Sequence, residues 1–182
     1  MLSFEIINLE NTRSRRDYNL YVIKYESLFD TFINNRILIE TVYWVKSFPV
    51  EYKRVNCILI EYLSDKYKSL GYNKLYDLNS FYINVQSIER TFIDKVFATC
   101  EYYLKNKVTR YSRHIYDLYK LFPYVKFDEK FLKLIKETRN LRINNNIYTS
   151  LLGLHDVNVL LKEIIISEYY KSDFNNVTKN LL

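Results

Sequence analysis

The sequence predicts an α+β chain with its strands first and its helices after. Two observations carry this. Before residue 87 the apolar residues fall into short β-branched and aromatic runs, and after it they recur at helical spacing. The division expected is a sheet region with one helix over 1–86 and a helical bundle over 87–182, packed as one compact unit.

Tyr18 to Tyr25 (YNLYVIKY) alternates apolar and polar residues, with Leu20 and Val22 on one side. Arg36 to Val45 (RILIETVYWV) is rich in β-branched and aromatic side chains, and Asn34-Asn35 ahead of it suits a turn. The two predict an antiparallel pair. A helix is expected next. Ser47 can cap it and Pro49 suits its first turn, while Val55, Ile58, Leu59, Tyr62 and Leu63 recur at helical spacing up to Gly71. Phe81 to Val85 (FYINV) reads as a third short strand.

Ser87 is a natural N-cap for the helix that follows. Phe92, Val96, Cys100 and Tyr103, flanked by Ile93, Phe97 and Leu104, make its apolar stripe. A short basic link leads to a second helix, Tyr111 to Phe122, with Ile115, Leu118, Tyr119 and Phe122 expected inward and Pro123 ending it. A third spans roughly Asp128 to Leu141 around Phe131, Leu134 and Ile135. Asn144 to Asn146 read as a loop. Two further helices, Val157 to Ser167 and Tyr170 to Leu181, are expected beyond it.

With 182 residues the chain can build one domain with a sizeable core, or two small ones. It holds 19 tyrosines but only two glycines and two prolines. An AT-rich genome accounts for that bias, and a tyrosine surface that stacks bases is the sharper alternative. The net charge of +6 favours anionic partners such as RNA or nucleotide phosphates, although the lysines are spread along the chain and mostly suit solvated helix faces. Cys57 and Cys100 read as buried reduced thiols in apolar helical patterns, without the spacing of a disulfide or metal site. His114 and His155 lie far apart in sequence, which argues against zinc. The N-terminal residues lack the apolar core of a signal peptide, and no apolar run reaches the roughly 18 residues of a membrane helix. A soluble cytoplasmic protein is expected.

Chemistry-bearing residues cluster on two consecutive helices. Lys95 points to one flank of its apolar stripe, near Thr91, Ala98 and Tyr102, and follows Asp94. On the next helix Arg113 and Asp117 share a face, with Arg110 a turn earlier. If the helices form a hairpin, Lys95, Arg113 and Asp117 can converge. The plainer alternative is a pair of solvated faces, with Arg113 and Asp117 as a surface ion pair worth roughly a few tenths of a kcal/mol.

RTFIDKVFA (from Arg90) followed by RYSRHIYDLYKL (from Arg110) resembles the paired C-terminal motifs of the AbiEii/AbiGii-type nucleotidyltransferase toxin family, of the form R-T-F-x-[DE]-K and R-H-x-Y-D-L-Y. The segments SRRDYNLYVIKY, LIETVYWVKSFPVEYKRVNCILIEYL and LLKEIIISEYYKSDFNNVTKNLL are similar to other parts of the same family. The resemblance implies the remainder of a nucleotidyltransferase-type mixed sheet followed by the helical half. It implies a toxin of a toxin–antitoxin or phage-defence system, neutralised by a separately encoded antitoxin. It also implies transfer of a nucleotide from a nucleoside triphosphate to an RNA such as tRNA, with Mg2+. Lys95 would then contact the triphosphate, stabilising charge as bonds to phosphorus rearrange. Asp117 would take the acidic position of the last motif, with Arg113 and His114 beside it as nucleotide-binding residues. Glu40, in RILIETVYW, would be a third carboxylate on a strand, or simply a solvent-facing glutamate.

The family pattern also has a Gly-Gly or Gly-Ser turn for the phosphates and an Asp-x-Asp pair for two magnesium ions. Here the glycines stand as Leu70-Gly71-Tyr72 and Leu152-Gly153-Leu154, and no aspartate has another two positions on. No metal ligand is therefore assigned in this chain. The expectation is an N-terminally truncated remainder that does not transfer nucleotides alone, whether half of a split gene, a cut piece or a degraded copy. A separate N-terminal half is then an expected partner. The alternative class is a non-catalytic binding module for an antitoxin, an RNA or the complementary half of the enzyme.

Overall fold

A computed structural model describes residues 4–11, 18–26, 35–42, 48–57, 65, 69–75, 78–144 and 155–181. The chain is α+β. It divides into two compact units, Met1–Lys46 and Ser47–Leu182.

The first unit is a three-stranded antiparallel sheet in the order β1-β2-β3. β1 is Phe4–Ile6, β2 is Tyr18–Tyr25 and β3 is Arg36–Val42. The expected antiparallel pair is present, running from Tyr18 opposite Val42 to Lys24 opposite Arg36. β1 is an addition to the sequence reading. Asn8 extends its pairing: the side-chain amide donates to Leu20 O at 2.7 Å, and Val22 N donates to Asn8 Oδ1 at 2.9 Å. Every residue of β3 is exposed, Ile37, Leu38, Ile39 and Val42 among them.

The second unit opens with β4, Val50–Val55, paired antiparallel with β5, Phe81–Gln86. This corrects the sequence reading at Pro49 to Val55, which expected the start of a helix. VEYK alternates apolar and polar residues, and the whole of VEYKRV meets FYINVQ residue for residue, so cross-strand pairing wins over the helical spacing of Val55 with later residues. Pro49 lies just before the strand, where a missing N–H costs no ladder bond. Ile58 to Leu63, the rest of that expected helix, lie outside the described residues. Cys57 follows β4 outside any helix and is half-buried, so it is not the buried helical thiol expected, whereas Cys100 is fully buried and both thiols are free. Gly71 sits at φ +77°, the left-handed conformation that glycine adopts without strain, ahead of the single turn α1, Tyr72–Leu75.

Among the described residues five further α-helices follow: α2 at Ile88–Leu104, α3 at Arg113–Leu121, α4 at Glu129–Asn144, α5 at Val157–Ile166 and α6 at Lys171–Asn176. Ser87 caps α2 as expected, accepting from Arg90 N at 3.2 Å, and Asp156 caps α5 by accepting from Asn158 N. Ile93, Phe97 and Cys100 of α2 pack with Phe131 of α4 and with Leu160, Ile164 and Tyr170 from the C-terminal helices to form the core. α3 departs from its expected orientation. Ser112 and His114 are buried and Ile115 and Leu118 half-buried, while Tyr119 and Phe122 are exposed. Pro123 turns the chain into a 3-10 helix, Phe122–Tyr124, and Phe122 then leans only one side on Phe92 and Phe127. Asn144 ends α4, and residues 145–146 of the expected loop lie outside the described residues.

Candidate functional site

The α2–α3 hairpin brings two of the candidate residues into contact. Lys95 Nζ donates to Asp117 Oδ2 at 2.6 Å. Both side chains are about one-third exposed, so a phosphate can reach the ammonium. A salt bridge this open contributes little to stability.

The turn between the helices is held from a distance. Arg110 adopts φ 69° and Asn106 φ 53°, both left-handed. Arg110 N and Ser112 N donate to the two carboxylate oxygens of Asp173 on α6, at 2.9 and 3.0 Å. Burial pushes the Asp173 carboxyl up, but hydrogen bonds from the Ser112 side chain and from the backbone at Arg110, Ser112 and Tyr111 outweigh it and hold the group below its ordinary value. Ser112 Oγ also shares a hydrogen bond with Thr178 at 2.7 Å. These contacts set the start of α3, and through it the position of Asp117.

His114 lies beside the pair. Its ring is buried parallel to Tyr102, with centroids 5.6 Å apart, and Tyr102 in turn stacks on Tyr111 at 3.7 Å. Neither ring nitrogen has a hydrogen-bond partner. Burial lowers its pKa to about 4. The Lys95 and Arg113 charges add to that, and Asp117 opposes it. His114 is therefore neutral at pH 7. Arg113 is exposed on α3. Glu40 belongs to the other unit, exposed on β3 and paired across from Leu20.

The His114 environment has a testable consequence. Its folded value lies below the ordinary 6.5, so the unfolded chain binds more protons in between. The stability tied to a neutral ring is complete above pH 6.5 and is lost as pH falls towards 4. At about 1.4 kcal/mol per unit, roughly 3 kcal/mol is at stake. His114→Phe keeps the stack and removes the proton site. Its urea midpoint is expected to fall less than the wild-type midpoint between neutral pH and pH 4, and equal falls would refute the assignment.

A second cluster, which sequence reasoning missed, supports the first. Arg90 is 1% exposed. Its Nε donates to Asp94 Oδ2 at 3.0 Å and its Nη1 to Phe48 O at 2.8 Å. Gln86 Nε2 reaches the same Asp94 oxygen at 3.1 Å. Arg142 of α4 spans α2, bonding Asp94 Oδ1 and Glu101 Oε2, each at 3.1 Å. Glu101 is buried and its pKa is raised by that burial, with Arg142 and Lys105 drawing it back. Asp94 thus gathers Arg90, Gln86 and Arg142 immediately before Lys95. The i, i+4 spacing of Arg90 and Asp94 was visible in the sequence. No local pattern pointed to Arg142.

Among the described residues, no group of three or more His, Cys, Asp or Glu side chains could hold a metal ion. Asp94 is already engaged by two arginines and Asp117 by Lys95. These residues do not fit a magnesium site, and no step is derived through one.

A family model described as "Nucleotidyl transferase AbiEii toxin, Type IV TA system" matches residues 3–177. The chain belongs to this family, whose toxin–antitoxin setting implies an antitoxin partner. No curated protein and no solved structure matches it. Among the described residues no helix is long and apolar enough to cross a membrane.

Proposed function

We propose that this chain carries the triphosphate-binding centre of a nucleotidyltransferase that moves a nucleotide from a nucleoside triphosphate to an RNA such as tRNA, acting in the cytoplasm as the toxin of its pair. The observation that carries this reading is the Lys95–Asp117 contact at 2.6 Å, which joins the two motifs across α2 and α3. Asp117 holds the ammonium in place, and the polyphosphate draws it away as negative charge builds on the transferred group. Arg113, exposed on α3, adds a second cation for the phosphates. His114, neutral and buried in the tyrosine stack, orients the start of α3 beside the nucleotide. Glu40 is the candidate for a further carboxylate.

The chain has neither a Gly-Ser turn nor an Asp-x-Asp pair. The magnesium chemistry of the reaction therefore has to come from a polypeptide segment that carries them. On this reading the chain alone is catalytically incomplete.

The test is transfer of labelled nucleotide to tRNA, with the four triphosphates and magnesium. No transfer is expected from this chain alone, and transfer is expected once a partner segment bearing both motifs is added. Robust transfer by the chain alone would sink the claim of incompleteness. Failure to transfer with the completing partner, together with capture of an antitoxin only, would favour a binding module instead.

A further inference from the structure

β4 and β5 form a ribbon with two unlike faces. Paired residues of an antiparallel ribbon point to the same side. The register pairs Val50 with Gln86, Tyr52 with Asn84, and Arg54 with Tyr82, so these six share one face. The opposite face carries the half-buried Glu51, Val55 and Val85 together with the exposed Lys53, Phe81 and Ile83. The first face is the more open of the two, with all but Gln86 exposed, and it holds no carboxylate.

Tyr52 and Tyr82 are diagonal neighbours across the strands. Their rings stack with centroids 5.2 Å apart and planes 22° from parallel. They are nevertheless 69% and 58% exposed. A stacked pair this open leaves the outer face of each ring available. Beside them Arg54 Nε donates to Ser80 Oγ at 2.6 Å, which steadies the guanidinium and leaves its terminal nitrogens as donors. Asn84, exposed on the same face, offers an amide that can both donate and accept.

We propose that this face binds single-stranded nucleic acid, with bases extending the Tyr52–Tyr82 stack and Arg54 holding the phosphodiester. The chemistry selects this partner in three ways. Flat aromatic rings match unstacked bases of any sequence. A lone arginine on a face without carboxylates, in a chain of net charge +6, matches a polyanion. A duplex keeps its base faces stacked on one another and presents backbone and base edges instead, so its bases cannot extend the tyrosine stack. The face is also tied to the candidate site, because Gln86 at its end donates to Asp94, the residue before Lys95. That the bound strand is the acceptor of transfer rests on the proposed function. The binding itself does not.

The experiment is fluorescence anisotropy with a labelled mixed-sequence oligonucleotide of about ten nucleotides, within the span such platforms cover. RNA and DNA versions are used, without triphosphate or magnesium. Either single strand is expected to bind the wild-type chain more tightly than the same sequence annealed to its complement. Tyr52→Ala with Tyr82→Ala is expected to weaken binding by about 10-fold or more. The corresponding double change to Phe, which keeps both rings, stays within about twofold, and Arg54→Ala lowers the slope of log affinity against log salt. No binding by the wild-type chain overturns the proposal. So does equal binding of the duplex, or undiminished binding by an alanine variant whose circular dichroism is native. Should the alanine variant fail to fold, a phenylalanine variant that loses binding also overturns it. An oligonucleotide that binds here but is not extended in the completed transfer assay, with the partner segment, triphosphates and magnesium all present, leaves this proposal standing and counts against the transfer reading alone.

Discussion

Arg90→Met is expected to destabilise the larger unit by about 3 kcal/mol, read as a lower urea midpoint of the helical signal. Methionine fills much of the arginine's volume, so packing is not the main loss. The loss is electrostatic. The Arg90 guanidinium is 1% exposed and serves both the Phe48 carbonyl and Asp94. Without it the carbonyl is left without that donor, and Asp94 keeps only Arg142 and Gln86. An exposed pair is the control. Lys133 and Glu137 lie 3.8 Å apart on the surface of α4, and Lys133→Met is expected to shift stability by less than about 0.5 kcal/mol. Equal effects at the two positions would mean that the buried network does not hold α2.

Lys95→Met is expected to do the reverse. In the completed transfer assay it should lower the rate by about 100- to 1,000-fold, the usual loss when one group that stabilises transition-state charge is removed. Its stability should change by less than about 0.5 kcal/mol, because the side chain is about one-third exposed and pairs only with Asp117 at the surface. A variant that keeps its rate would remove Lys95 from the chemistry. A variant that loses rate and stability together would make it a structural residue like Arg90. Two lysine and arginine positions in one motif, five residues apart, are thus separated by what each one touches.

Much of the helical half was legible because its signals are local. Ser87 before an apolar stripe gave the start of α2, and Asp128 and Pro123 bracketed the neighbouring turns. The strand at Val50 to Val55 was read as helix because Pro49 suits a helix start as well as a strand start, and only the pairing with β5 decides between them. The orientation of α3 was misread for a related reason. Tyr119 and Phe122 are apolar enough for a core, but His114 and Ser112 fill that space once Asp173 has fixed the turn. The meeting of Lys95 with Asp117 could be anticipated from two charged helix faces and a short link. The clamp on Asp94 could not, since Arg142 lies 48 positions away from it.

The bond between Ser112 and Asp173 closes over 61 positions, and that between Thr99 and Tyr170 over 71. The hydrogen bonds inside α2 and α3 are local in sequence, whereas the turn that sets their register depends on α6. Contacts of such separation form late, because a long loop must close before they stabilise anything. A chain in which α6 has not docked is therefore expected to lack the fixed spacing between lysine and aspartate, whatever helix its two motifs hold.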